Sequence, residues 1–385
     1  MKPNWPAKKL TDLCKLERGT EPGSDSYVKD LVGTIPFLRV GDLTGKVDAK
    51  RFVKKSNNNL QVVNKNETLI TFDGTPGIVV RGFSGAIASG MRVIRNLKPE
   101  INGDFLFYYL QTPIVQKTIR AYSKGATIIH ASAAIPHIKI LLPPLKIQQK
   151  IVERLDAIKK TQELNDKQIA FADELFQSLL HRELDPKGKN WGIKKLGDVC
   201  EIARGGSPRP INKYLTKSPD GINWIKIGDV KEGEKYVTST AEKIKSEGVS
   251  KTRLVQEGDL ILSNSMSFGR PYILKISGAI HDGWLFLHIN NTGELLQDFL
   301  YYTLGTTQTK IQFEKAASGG VVRNLNSDLV RKVKIPLPPL ETQRKIVEKL
   351  SAVQKYKKKL LEQKQFLQKL FESVLNKSFK GELVK

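Results

Sequence analysis

Residues Leu142 to Ile158 read LPPLKIQQKIVERLDAI, and residues Leu337 to Val353 read LPPLETQRKIVEKLSAV. The two stretches lie 195 residues apart and align without a gap, and 11 of their 17 paired positions are identical. Each reads as the head of a long helix. The Pro-Pro pair bars helix on its N-terminal side, and proline is tolerated in a first helical turn, where its missing N–H has no partner to lose. Beyond it, Ile151, Leu155, Ile158, Gln162, Asn165, Ile169, Ala172, Phe176 and Leu179 recur in steps of four and three. The second copy follows with Ile346, Leu350, Val353, Lys357, Leu360, Lys364, Leu367, Phe371 and Val374. Such spacing is a heptad seam, one apolar stripe that needs a partner helix. The tails match as well, FADELFQSLL from Phe171 against FLQKLFESVL from Phe366.

The repetition extends outward from these helices. WPAKKLTDLCKLERGT from Trp5 pairs with WGIKKLGDVCEIARGG from Trp191, and IPFLRVGDL from Ile35 with INWIKIGDV from Ile222. ETLITFDG around Thr68 resembles GDLILSNS at Gly258. DFLFYYL from Asp104 resembles DFLYYTL from Asp298, each expected as a short amphipathic helix. Alternating residues followed by Gly-Asp suggest strands and turns. The chain is therefore a tandem duplication of one unit, an α+β domain followed by a long helix. The expected segments are a first domain at 1–142, a first helix at 143–184, a second domain at 185–337 and a second helix at 338–385.

Two copies imply pseudo-twofold symmetry, and a twofold requires the two helices to pair antiparallel, as a coiled coil separating two tandem globular domains. From Ile147 to Leu180 is 34 residues, or roughly 50 Å at ~1.5 Å per residue, so the pair is expected to be a spacer of fixed length. The polar seam positions Gln162, Asn165, Lys357 and Lys364 fit two readings. They either set register inside the pair or mark a middle that faces solvent.

The 385 residues carry a formal charge of +24. Residues 1–142 hold 21 Lys and Arg against 11 Asp and Glu, and residues 185–337 hold 23 against 16. Residues 143–184 are balanced at seven against seven. Basic globular parts point to a polyanionic partner. No apolar run approaches the roughly 20 residues of a membrane helix, and MKPNWPAKKL lacks the apolar core of a secretory signal. Cys14 and Cys200 occupy matching slots and read as small buried apolar residues. Together these features place the chain in the cytoplasm.

Motifs for chemistry are missing. There is no [DN]PP[YF] tetrad and no GxxxxGK[ST] loop. Gly41 to Lys46 reads as a turn. His130, His137, His181, His281 and His288 make no metal spacing with the cysteines. Pro219-Asp220 followed by Lys226 lacks the second acidic residue of a nuclease site. Candidate DNA contacts are basic, amide or hydroxyl residues on Gly-rich loops, since Arg and Lys suit guanine and phosphate and Asn suits adenine. In the first domain these are Arg18, Arg39, Arg81, Arg92, Lys124 and Thr127. In the second they are Arg204, Arg209, Lys226, Asn264, Arg270, Arg323 and Asn324.

With its LPPL and QxxIVxxL helix heads and WxxKKLxDxC openings, the whole chain resembles the specificity subunit of a type I restriction–modification enzyme. The resemblance implies that each globular domain is a target recognition domain reading one half of a bipartite, asymmetric DNA site. It implies that the helices separate the halves and dock two modification (methyltransferase) subunits, with an optional pair of restriction (motor and nuclease) subunits. No cofactor is then expected in this chain. S-adenosylmethionine would belong to the modification subunit, and ATP and Mg to the restriction subunit. Two rival readings are a methyltransferase or nuclease with a degenerate site, testable by cofactor binding, and a coiled-coil protein whose basic domains hold acidic protein or RNA. Salt-sensitive, sequence-preferring binding to duplex DNA separates the last from the first.

Overall fold

The structure is a computed structural model that describes residues 5–383, apart from 31, 46–50, 58, 231–232, 265–268 and 318–324. The chain divides into two units, Met1–Asp166 with Glu362–Lys385, and Lys167–Leu361. The two 40-residue helices, Leu145–Leu184 and Leu340–Phe379, each pass from one unit into the other.

The first unit is built on two four-stranded sheets. One orders Lys15–Arg18, Met91–Arg95, Leu69–Thr71 and Val79–Val80, and the other Phe52–Lys54, Thr34–Leu38, Gly85–Ile87 and Val62–Val63. Within the second sheet Thr34–Leu38 and Gly85–Ile87 run parallel, Phe37 opposite Ala86. A further pair, Ala7–Lys9 with Lys139–Leu141, brings the opening segment against the segment that leads into the long helix. The second unit repeats the plan with five-stranded sheets, Cys200–Arg204, Trp284–Ile289, Leu260–Ser263, Pro271–Leu274 and Tyr236–Val237 forming one of them. Its other sheet again contains a parallel pair, Trp224 opposite Ala279, and Gly192–Lys195 again pairs with Lys334–Leu337.

The two helix heads show why the repeated motif holds its glutamine. Gln148 is fully buried. Its Oε1 accepts from the Asn102 N–H at 2.8 Å, and its Nε2 donates to Glu100 O and Pro143 O, both at 2.8 Å. Gln343 repeats this, with Leu296 N–H, Glu294 O and Pro338 O at 2.8 Å. One amide thus closes the unpaired groups of the proline turn and ties the helix to the short helix beside it. An apolar replacement would strand one buried and two half-buried backbone groups, the buried one at about 1–3 kcal/mol.

Of those short helices, Gly103–Leu110 and Gln297–Leu304, the first differs from the amphipathic expectation. Phe105, Leu106, Phe107, Tyr108, Tyr109 and Leu110 are all buried. In the second helix Phe299, Leu300, Tyr302, Thr303 and Leu304 are buried. Each is covered on one side by its domain and on another by the long helices; the first keeps only Asp104 exposed, while the second keeps Gln297, Asp298 and Tyr301 half-buried along one side and so remains amphipathic. Phe379 packs edge-on against Phe105 and Tyr109, ring centroids 5.1 and 5.0 Å apart. In the other unit Phe176 lies 6.1 Å from Tyr302.

The long helices pair antiparallel within each unit. In the first, Lys364 Nζ meets Asp166 Oδ1 at 2.8 Å and Gln162 Nε2 donates to Leu367 O at 3.2 Å. In the second, Lys349 Nζ meets Glu183 Oε2 at 3.1 Å and Lys357 pairs with Asp173. Ile151, Leu155, Ile346, Leu350, Leu360 and Leu367 are buried, and Ile158, Ile169, Phe176, Leu179, Val353, Phe371 and Val374 half-buried. The polar seam positions divide between their two readings. Asn165 is only 2% exposed and Gln162 bonds across the pair. Lys364 lies at the surface and Lys357 at its edge, each on an aspartate. Cys14 and Cys200 are buried and free, and burial pushes both thiols up to about 12.

Candidate nucleic-acid interface

The openings ERGT and ARGG place an arginine at the same structural point in each unit. Arg18 ends the strand Lys15–Arg18, and its Nε donates to Ser89 O at 3.2 Å. Arg204 ends the strand Cys200–Arg204, and its Nε donates to Asp282 O at 2.9 Å. The glycine that follows each arginine is required by close backbone approach. A Cβ on Gly19 would stand 2.1 Å from Ala88 O, and one on Gly205 would stand 2.3 Å from His281 O. Both arginines are exposed, with room for the rest of the guanidinium to reach a phosphate or base.

Beside each arginine, the same backbone carries different chemistry. ETLITFDG and GDLILSNS put Asp73 and Asn264 in one slot, just past a central strand. Asp73 Oδ1 lies 2.9 Å from His130 Nδ1, and their backbones pair across a two-residue ladder. Asn264, 2% exposed, donates Nδ2 to Asp282 O at 2.7 Å, and its carbonyl accepts from Leu325 N. In the first unit Arg92 fills the space beneath. It is buried and donates to Ser89 O, Met91 O and Ser132 Oγ. Burial and the nearby Arg18 hold its guanidinium below the usual value. In the second unit the corresponding residue is Leu285, and the centre is instead Asp282. Its Oδ1 accepts from Ser207 Oγ at 2.7 Å and its Oδ2 lies 3.8 Å from Arg209 NH2. The Ser207 hydroxyl, with His281 and Arg204 nearby, holds that carboxyl below the usual range despite partial burial.

The expected contact residues therefore fall into groups. Arg18 and Arg92 converge on Ser89, and Arg204, Arg209 and Asn264 converge on Asp282. Lys124 and Thr127 are exposed on the loop before His130. Arg39 and Lys226 stand at matching turns, each one residue past a carbonyl, Leu38 O or Ile225 O, that accepts from Ala88 N or His281 N beside these clusters. Arg39 donates to Tyr27 Oη at 2.9 Å, and Lys226 Nζ pairs with Glu242 at 2.8 Å. In both turns the residue's own N–H is capped by an aspartate, Asp42 or Asp229, at 2.7 Å. Arg81 is occupied by the fold. It donates to Thr68 Oγ1 and Gly103 O, pairs with Asp104 and lies 4.6 Å over the Phe107 ring. Arg270 is half-buried, its N–H donating to Ser263 Oγ at 3.1 Å. Arg323 and Asn324 lie outside the described residues. Sequence reasoning missed Asp73, Ser89, His130, Ser132, Ser207 and Asp282. The one signal was the change from Asp73 to Asn264, three residues past the shared Leu-Ile pair Leu69-Ile70 and Leu260-Ile261. Among the described residues no group of three or more His, Cys, Asp or Glu side chains is placed to hold a metal, and no helix is long and apolar enough to cross a membrane.

The duplicated plan is matched by a family model, the type I restriction modification DNA specificity domain, over residues 2–171 and again over 188–367. The chain belongs to that family. It is a type I restriction–modification specificity subunit with two target recognition domains. It is 24% identical to the MjaVIII specificity subunit of Methanocaldococcus jannaschii, covering 99% of this chain and 93% of the relative. It is 20% identical to the EcoDI specificity subunit of Escherichia coli, covering 99% and 89%. Among solved structures it resembles a chain from a study of type I system assembly and conformational transition, with a TM-score of 0.69 at 18% identity over the full length of both. It also resembles the HsdS subunit of Thermoanaerobacter tengcongensis, with a TM-score of 0.55 at 19% identity over 99% and 98%.

Proposed function

We propose that each recognition domain reads its own half of a bipartite, asymmetric DNA site, that the helix pair sets the spacing of the halves, and that the chain itself performs no chemistry. One observation carries the reading: a shared backbone platform around Arg18 and Arg204 presents different side chains. Asp73, His130 and Arg92 in one unit are Asn264, Leu325 and Leu285 in the other. Identical platforms would suit a palindrome, whereas divergent ones suit two different half-sites. The net charge of +24 supplies phosphate affinity that carries no sequence information.

Docking of two modification subunits is supported by the outer faces of the helices. Phe171 is 67% exposed and Phe366 63% exposed, and they occupy the same position of the repeat. Each unit thus presents one such phenylalanine, as two copies of one partner would require. S-adenosylmethionine would be bound by those modification subunits, and ATP and Mg by the restriction subunits when present. Incubating the purified chain with duplex DNA and labelled S-adenosylmethionine, with and without its modification subunit, tests the division of labour. Methyl transfer is expected only with the partner; transfer by the chain alone would overturn it.

A further inference from the structure

The loop before His130 has a feature that phosphate binding does not account for. Lys124 and His130 exchange backbone hydrogen bonds, 2.9 Å from Lys124 N to His130 O and 2.7 Å in return. They close a narrow hairpin. Gly125, at φ +113°, makes the reversal, and a Cβ there would stand 2.1 Å from Ile128 O. At this same closed end Ile129 and His130 pair with Gly74 and Asp73, and the Asp73 carboxylate, 14% exposed, grips the imidazole. The hairpin is therefore braced from three sides. Yet its returning arm leaves two β-branched apolar residues exposed, Ile128 at 57% and Ile129 at 39% exposure.

Two isoleucines cover far too little surface for a protein interface, which needs about 800 Å² per partner. Their neighbours are cationic or hydrogen-bonding, namely Lys124, Thr127, His130 and the Arg18 platform. In a basic DNA-reading domain, an apolar arm among such groups matches one feature of the duplex. The thymine C5-methyl is the apolar mark of the major groove, and that groove admits a two-stranded β-ribbon. In the second repeat the aligned slots hold Arg323 and Asn324, residue types suited to guanine and adenine. The loop thus changes chemistry between the matched glycines Gly125 and Gly320 and the matched serines Ser132 and Ser327.

We propose that the hairpin Lys124–His130 is a base-reading element of the first domain, with Ile128 and Ile129 recognising thymine methyl groups in the major groove. His130, oriented by Asp73 through Nδ1, is the positioning residue that fixes the hairpin against the platform. The proposal rests on the functional reading above.

The test uses the full chain with its modification subunit. Methylated adenines mapped in DNA from cells carrying both define the site. Duplexes of that site are then made with each thymine replaced singly by deoxyuridine, which lacks only the methyl group. One or two thymines, confined to one half, are expected to lose about fourfold in affinity each, the equivalent of one buried methyl. The double variant Ile128→Ser/Ile129→Ser is expected to bind thymine and uracil duplexes equally at those positions while keeping its selectivity in the other half. A site with no thymine in either half, or one whose thymines all tolerate uracil, would overturn the proposal and leave the functional reading standing. The uracil scan of the unaltered complex decides this even if the double variant misfolds. Uracil sensitivity unchanged in a folded double variant would also overturn it. Absence of any chain-dependent methylated site would take down the functional reading and this proposal together.

Discussion

Replacing Phe379 with alanine probes the most distinctive packing of the first unit. Phe379 is 1% exposed and meets Phe105 and Tyr109, themselves buried. The contact joins the last turns of a 385-residue chain to a helix at residues 103–110. Truncating a buried phenylalanine costs about 3–5 kcal/mol, and the two edge-on ring contacts place this site toward the upper end. A domain stability of about 5–15 kcal/mol leaves little to spare. For a unit of this size each kcal/mol moves Tm by about 2–4 °C, so a cost of about 4–5 kcal/mol gives an expected fall of roughly 8–20 °C. Hydrogen exchange localises the effect: the amides of Gly103–Leu110 should lose protection, while those of Gln297–Leu304 keep theirs. Phe366→Ala is the control, since Phe366 is 63% exposed and its loss should stay within about 0.5 kcal/mol. If both variants melt together, or if both short helices lose protection equally, the assignment of the C-terminal turns to the first recognition domain is wrong.

Asn165 is buried, and neither its Oδ1 nor its Nδ2 has a hydrogen-bond partner among the described residues. Asn165→Leu should therefore raise stability by about 1–3 kcal/mol, read as a higher urea midpoint; a lower midpoint would show that the amide is satisfied. Acid should weaken the first unit through Glu67. Burial raises its pKa, but the Arg95 guanidinium at 2.6 Å and the Asn64 N–H outweigh it, so the folded value lies below normal. A depressed carboxyl contributes stability above its unfolded value of about 4.3 and loses it as pH falls further. Arg95→Met should flatten stability against pH below about 4.3, and an unchanged slope would assign the effect elsewhere.

The helices were legible because their constraints are local in sequence. Pro143, Pro144 and Gln148 act within one turn, and Ile151 to Leu179 repeat on one face. The buried state of Gly103–Leu110 was not legible, because a run such as FLFYYL looks alike whether one or both sides are covered. Its second cover comes from Phe379, more than 260 residues on. The site divides the same way. Arg18 and Arg204 stood out because each precedes a glycine in matched openings. Asp73 with His130, 57 residues apart, and Ser207 with Asp282, 75 apart, meet only through strand pairing. Arg81 shows the converse. As an isolated Arg it reads as a free cation, whereas Thr68, Gly103, Asp104 and Phe107 take up its donors and its face.

The separateness of the two readers can be measured by exchanging residues 1–142 for the first domain of another family member and mapping methylated adenines across a genome. The account predicts that one half of the recognition site changes to the donor's and the other half stays as it was. A change in both halves, or in neither while methylation persists, would contradict it.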